Sequence, residues 1–319
     1  MDISIVLEWE NAILSELDRT SQLLVQIFKQ TSTRNESFEL LVLHNENQVS
    51  GVFIKDFIDR CVSENSLEVN LPIHIVDVQE AHYFQLKNQG VKLAKGEKII
   101  FFDSDIVPEE NWMEVILEVH SKFPKSIISG YSYIDFSDWI GKAFSLSWFF
   151  PLPPEDSKLE KVELVFSNNY IAPRKVLLEN PYPEMKEGVT RGADVILWER
   201  LIKKGVELYK HSGARASHPA PNGLNHFFKR ALAEGRDDYQ RLYEPEFAVN
   251  HPFSRFTKIY LFRSRKALKS PFVNGKRVNL KSYEIPIAAG TMVFYYQLYF
   301  FGGLTAKLFP SLAKSSWRI

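Results

Sequence analysis

The sequence predicts an α/β fold, a single doubly wound and mostly parallel sheet flanked by helices, with a helical extension at its C-terminal end. Three observations carry this. Short β-branched runs alternate with segments of helical period through residues 1–120. One of these runs, IIFF at 99–102, ends directly on an acidic Asp103-Ser104-Asp105 turn. Beyond residue 245 the alternation stops, and a basic segment and then a charge-free one follow.

Taken in order, ISIVL at 3–7 has the pattern of a buried parallel strand. Residues 11–30 carry Ile13, Leu14, Leu17, Leu24, Ile27 and Phe28 at helical spacing. FELLVL at 38–43 reads as a second strand, 52–62 as a helix and IHIVDV at 73–78 as a third strand. Residues 82–95 read as a helix stopped by Gly96, and IIFF as the fourth strand. A helix over 111–120 and a strand over 126–133 follow, then a proline-rich loop at 149–158 and an extended stretch over 162–171. Residues 174–179 and 193–204 read as helices, 207–211 as a late strand and 223–244 as a charged amphipathic helix. The expected organisation is a domain over 1–245 and a basic, then apolar, helical tail over 246–319. In such sheets ligands gather at the carboxyl ends of strands, so the chemistry is expected just after Leu7, Leu43, Val78 and Phe102.

With 45% hydrophobic and 24% charged residues, the 319-residue composition excludes a disordered chain, a collagen-like repeat and a disulfide-built miniprotein. A single cysteine, Cys61, allows no intramolecular disulfide and no multi-cysteine zinc site, which fits a reducing compartment. No basic stretch precedes the first apolar run, so no signal-peptide pattern is expected there. The formal net charge of zero hides a gradient, with a net of −10 over residues 1–130 and +13 over 201–319. Nothing acidic lies between Glu246 and Glu284, whereas nine lysines and arginines do, an arrangement that attracts a polyanion or an anionic membrane. No helix-turn-helix, zinc-finger or RNA-recognition signature accompanies it, which speaks against nucleic acid. The next 22 positions, 285–306, carry no charge and are long enough to cross a bilayer at about 1.5 Å per residue. Pro286, Gln297, three glycines and three tyrosines suit an interfacial helix equally well, and a buried helix with a solvated basic face is the alternative.

The acidic turn after IIFF is the strongest local signal. Two carboxylates one residue apart, just past a buried strand, can share a divalent cation and the diphosphate attached to it. An Asp-x-Asp by itself is also an ordinary turn. Its surroundings are more specific: Asn88-Gln89-Gly90, Ala94-Lys95-Gly96, then IIFFDSDIVPEENW. Together these resemble family 2 glycosyltransferases of the GT-A fold, and the resemblance runs in order over residues 1–245. ISIVLEWEN resembles the opening strand whose end contacts the nucleotide base. Ser167-Asn168-Asn169 with Arg174 resembles the segment below the acceptor site, and Pro181-Tyr182-Pro183-Glu184 with GADVILWERLIKKG resembles the family's proline-aromatic and Glu-Asp block.

The resemblance implies a metal-dependent, inverting transfer from a UDP- or GDP-sugar to a glycan or lipid-linked acceptor. Asp103 would lie near the ribose and diphosphate, and Asp103, Asp105 and His218 would hold Mn2+ or Mg2+. Glu8, Asn11, Lys87, Asn88, Ser104 and Asn169 would complete the donor site, with Trp198 and Arg200 addressing the acceptor. Asp194 occupies the second position of the Glu-Asp pair and would deprotonate the acceptor hydroxyl, with Glu184 and Glu187 next in line. The first position of that pair is Ala193 here, which removes one acceptor contact. Seen without the resemblance, Asp194 would serve as a helix N-cap and Trp198 as a core aromatic. With the basic tail, the expected location is the cytoplasmic face of a membrane, and homo-oligomerisation is left open.

Two other readings compete. IIFFDSDIV also fits the haloacid-dehalogenase-like phosphatases, with Asp103 as nucleophile, but that motif should open the α/β domain and be joined by a later acidic pair, for which only Asp237-Asp238 offers itself. A degenerate, membrane-bound glycan-binding subunit would account for Ala193, yet Asp103, Asp105 and Asp194 are all retained.

Overall fold

The chain enters the sheet at once. A computed structural model describes residues 1–14, 17–79, 81, 83–184 and 192–315. Strand β1 (Ile3–Glu8) is buried along its whole length, and helices α1 (Glu10–Leu14) and α2 (Leu17–Ser32) follow it. Then come β2 (Phe38–His44), α3 (Gly51–Glu64), β3 (Ile73–Asp77), α4 (Tyr83–Leu93) and β4 (Lys98–Asp103). These match the alternation read from the sequence because a parallel strand covered on both faces is apolar at nearly every position, the buried exceptions Ser4 and Glu39 bonding to each other, and full burial of each Ile or Leu is worth about 1.5–3 kcal/mol.

β1 pairs in parallel with both β2 and β4, and β2 in parallel with β3. The order β3-β2-β1-β4 therefore reverses direction at β1, and Glu8 and Asp103 are register partners where the two strands end. A crevice at such a reversal is where open α/β sheets take their ligands. Gly96 sits against this seam: a Cβ there would fall on the backbone of Ile3 and Ser4, so only glycine lets the chain turn into β4.

Past β4 the sheet departs from the expected, mostly parallel one. It continues through β5 (Val107–Pro108), α5 (Trp112–Lys122), β6 (Ile127–Ile134), α6 (Trp139–Ser147), β7 (Leu159–Val162), β8 (Asn169–Pro173), α7 (Arg174–Glu179), α8 (Ala193–Lys203) and β9 (Leu208–His218). β8 runs antiparallel to β4 and β6, and β9 antiparallel to β5 and β7, giving a mixed sheet of nine strands among the described residues. The physical reason lies at Ser167-Asn168: the chain re-enters at the carboxyl end of β4, where the Asp103 amide donates to the Asn168 carbonyl at 2.9 Å, and so must run the opposite way. The sheet and its helices, Met1–Ser132, Pro153–Pro183 and Asp194–His218, form one compact unit.

A second unit holds Tyr133–Leu152 and the chain from Pro219 on. It is helical, with α6, α9 (Gly223–Arg241), α10 (Pro252–Asn274) and α11 (Glu284–Leu308). α11 contains the charge-free run and buries Ala288, Met292, Tyr295, Tyr299, Gly302 and Ala306. Gly302 packs where a Cβ would strike the Leu232 carbonyl of α9. A buried ionic network ties the helices together. Glu234 accepts from Arg263 at 2.6 Å, Tyr295 at 2.8 Å and Trp148 at 3.1 Å, while Asp238 accepts from Arg241 at 2.7 Å, Tyr299 at 2.9 Å and Arg263 at 3.0 Å. Burial opposes the charge on Asp238, but Arg241 and Arg263 outweigh it and hold the carboxyl below its ordinary pKa. The expectation that 285–306 could cross a bilayer is corrected here: no helix among the described residues is long and apolar enough to cross a membrane. Tyr295, Tyr299, Gly302 and Gly303, among the residues that made the run a poor span, pack it against α9 and α10.

Candidate active site

The reversal point gathers three carboxylates, Glu8, Asp103 and Asp105, and the lysine Lys87 within the sheet unit. Glu8 is fully buried; its Oε1 accepts from the Ser104 amide at 3.2 Å and from Asn11 Nδ2 at 3.0 Å, and its Oε2 from the Asn11 amide at 3.1 Å. Burial, and then the charge of Asp103, push the Glu8 carboxyl well above the ordinary range. Residues 104–105 are clasped from α2, where Thr20 donates to the Ser104 carbonyl and Arg19 to the Asp105 carbonyl, both at 2.8 Å. Arg19 also donates to the Ser217 carbonyl and hydroxyl at 2.8 Å, so one guanidinium ties the acidic turn to the end of β9.

Asp103 is held from α4. The Lys87 ammonium, fully buried, lies 2.6 Å from its Oδ1, and the Tyr83 hydroxyl donates to the carboxylate at 2.7 Å. Lys87 also donates to the Tyr83 oxygen at 2.8 Å and to the Ser167 carbonyl at 2.5 Å. Burial raises the Asp103 pKa, Lys87 draws it back and Asp105 adds to the rise, with a net upward direction. Burial first, and then Asp103, raise Tyr83 well above a free phenol, so it keeps its proton and acts as a donor.

From this cluster a polar line runs to Asp194. Tyr83 Oη lies 3.4 Å from Ser167 Oγ, and Ser167 Oγ lies 3.5 Å from Asp194 Oδ2. Asp194, half-buried in the first turn of α8, accepts the Val195 amide at 2.9 Å on Oδ1. Asp194 thus lies inside the first turn of α8, one residue past the helix start, with its carboxylate toward the cluster. On the opposite flank, β5 pairs Val107 with Ser217 of β9, which brings His218 Nε2 to 3.7 Å from Asp105 Oδ2.

Several residues expected at the site have other work. Asn88 clamps the backbone of Tyr182, donating to its carbonyl and accepting its amide, both at 2.9 Å. Asn169 is fully buried, accepting from Trp112 Nε1 at 3.0 Å and donating to Ser132 and Asn168. Trp198 is fully buried, donates to the Val165 carbonyl at 2.8 Å, and packs edge-on against Tyr170 and Tyr182. An acceptor sugar cannot stack on a ring enclosed in this way. Arg200 is exposed on α8, about 120° around the helix from Asp194. Asp103, expected as a metal ligand, has its carboxylate engaged by Lys87 and Tyr83. Among the described residues no group of three or more His, Cys, Asp or Glu side chains is arranged to hold a metal. Of the alternative bases, Glu184 is exposed and Glu187 lies outside the described residues. The phosphatase pattern fails too: three strands precede β4, while Asp237 and Asp238 pair with Arg236 and Arg241 in the helical unit. Tyr83, Arg19 and Thr20 carried no assigned role in the sequence, and Ser167 only its place in the segment likened to the one below the acceptor site, although Tyr83 and Lys87, four apart on one helix, share a face.

Residues 71–175, which include Lys87, Asp103 and Asp105, match the family glycosyl transferase family 2. No curated protein matches the chain by sequence. Among solved structures, the mannosyltransferase PcManGT from Pyrobaculum calidifontis, in complex with GDP-Man and Mn2+, is similar at a TM-score of 0.58 and 10% identity, covering 97% of this chain and 87% of that one. S. aureus TarS 1-349 is similar at a TM-score of 0.50 and 14% identity, covering 96% and 91%. GalNAc-T7 with UDP, GalNAc and Mn2+ is similar at 0.50 and 13%, covering 82% of this chain and 55% of that one. At these identities the likeness is one of fold, and the fold is of the GT-A type.

Proposed function

We infer that the chain is a family 2 glycosyltransferase that moves a sugar from a UDP- or GDP-linked donor to a hydroxyl of a glycan or lipid-linked acceptor at the cytoplasmic face of a membrane. One observation carries this: the Asp103-Ser104-Asp105 turn and Asp194 are joined through Tyr83 and Ser167 in one unit, at the reversal point of a GT-A-type sheet. The family match over 71–175 and the nucleotide sugar bound by PcManGT support it.

In this reading Asp194 accepts the proton of the acceptor hydroxyl. The freed oxygen attacks the anomeric carbon from the face opposite the diphosphate, the bond from that carbon to the diphosphate oxygen breaks with its electron pair leaving on the diphosphate, and the configuration inverts. The Val195 amide holds one Asp194 oxygen and Ser167 Oγ stands 3.5 Å from the other, so the carboxylate is oriented on the cluster side as it takes the proton. Glu8 and Lys87 fix the backbone and carboxylate of the acidic turn, so that Asp103, itself held by Lys87 and Tyr83, keeps the turn in place beside the ribose and diphosphate side of the donor.

Asp105 and His218 fit a cation better than the expected trio does. Two ligands at about 2.1 Å from one ion stand roughly 3–3.5 Å apart, close to their 3.7 Å separation, which is too long for a hydrogen bond. Mn2+ suits a carboxylate-imidazole pair better than Mg2+ does, and when bound it would place positive charge against the departing diphosphate.

The test is a panel of UDP- and GDP-sugars incubated with the full chain and Mn2+. Release of the nucleoside diphosphate from one of them, with no phosphate released from simple phosphoesters, is the expected result. Activity confined to phosphoesters would revive the phosphatase reading.

A further inference from the structure

We propose that the outer face of α10 is a docking surface for an anionic lipid membrane. This deepens the membrane-side acceptor of the proposed function but stands on the helical unit alone. The helix buries Phe256, Ala267, Ser270 and Pro271. Its other side leaves large apolar groups in solvent: Phe262 is 70% exposed, Phe272 61% and Val273 78%. Lys258, Arg265 and Lys269 are exposed among them. At 100° per residue these six side chains fall within one arc of about 100°.

The basic residues of α10 divide by task. Arg263 is committed to Glu234 and Asp238, and Lys266 donates to the Trp148 carbonyl at 3.0 Å. The outward lysines and arginine face no acidic neighbour in sequence, since none occurs between Glu246 and Glu284. A helix facing water mixes its charges and hides its aromatics, and this one does neither. Lipid suits both features at once. Rings and the valine methyls enter the boundary of headgroup and acyl chain, while the lysine and arginine stems reach back to place their charges on phosphate. Nucleic acid would use the charges but has no use for the aliphatic Val273 beside them. The charge-free run of α11 also leaves Ile287, Phe294 and Phe301 exposed on its outer face, but only α10 sets basic side chains among its exposed apolar groups.

The experiment is co-sedimentation of the full chain with vesicles of phosphatidylcholine alone or with phosphatidylglycerol, at low and at roughly molar salt. It uses no nucleotide sugar, so it can fail while the transferase reading stands, and the reverse. Wild-type protein is expected to pellet with the anionic vesicles and to retain a salt-resistant bound fraction. Lys258→Glu/Lys269→Glu should weaken binding about tenfold or more. Phe262→Ser/Phe272→Ser should lose the salt-resistant fraction, with unchanged circular dichroism showing that these exposed positions leave the fold intact. Wild-type protein that ignores anionic vesicles overturns the proposal. So does a serine variant that binds as wild type does, because the surface would then act by charge alone, as an RNA-binding face would.

Discussion

In an Asp194→Asn variant, turnover falls by about 10²-fold or more while donor affinity stays at the wild-type level. Asparagine keeps the volume of the side chain and can still accept the Val195 amide, so α8 retains its first-turn contact. What disappears is the proton acceptor facing the acidic cluster. Steady-state kinetics combined with donor titration separate the two quantities. Near-normal turnover would place the base elsewhere, and equal losses of turnover and donor binding would make Asp194 a donor-site residue instead.

A second large effect is expected at Lys87. Its ammonium is fully buried against the Asp103 carboxylate, and removing one partner of a buried pair strands the other. Lys87→Met should therefore lower stability by about 3–5 kcal/mol, measured by urea denaturation. The pH dependence fixes the mechanism. Burial already raises the Asp103 pKa, and without Lys87 it rises further. A carboxyl raised in the folded state binds its proton more tightly there than in the unfolded chain, so its contribution is present at low pH and lost as pH climbs through the folded pKa. The deficit of the variant should accordingly be smaller at about pH 5 than at about pH 8. Adding Asp103→Asn should restore part of the loss, because the stranded charge is gone. A deficit independent of pH and unrelieved by Asp103→Asn would mean that Lys87 acts through packing alone.

The legible parts of this molecule were those where one physical demand shows in the residues. β1, β2 and β4 are buried on both faces and read as apolar runs interrupted only by Ser4 and Glu39 before their acidic or histidine ends. The acidic turn was visible because carboxylates directly after such a run are conspicuous. Strand direction beyond β4 was not visible, because β8 looks the same whichever way it runs, and its reversal depends on the Asn168 carbonyl meeting the Asp103 amide. Residues 162–171 read as one extended stretch, whereas β7 ends at Val162 and β8 begins at Asn169. α6 went unread among aromatics, although Asp138 caps it by accepting the Gly141 amide at 2.6 Å. At the site, Asn88, Asn169 and Trp198 carry side chains that serve equally to bind a ligand or to hold a fold. Only their partners, a backbone clamp, a buried amide network and a ring enclosure, separate the two. Tyr83 escaped notice because a phenol ahead of a lysine on a helix has no signature until Asp103 is placed against both.

The central claim is that the carboxyl ends of β1 and β4 hold a nucleotide sugar through the acidic turn. Calorimetric titration of a nucleotide sugar turned over in the donor panel, with and without Mn2+, into wild-type protein and into Asp105→Ala tests it most directly. The predicted result is Mn2+-dependent binding to wild type, with the alanine variant binding weakly and no longer responding to the metal. Unchanged Mn2+-dependent affinity in Asp105→Ala would contradict the claim and remove the turn from the donor site.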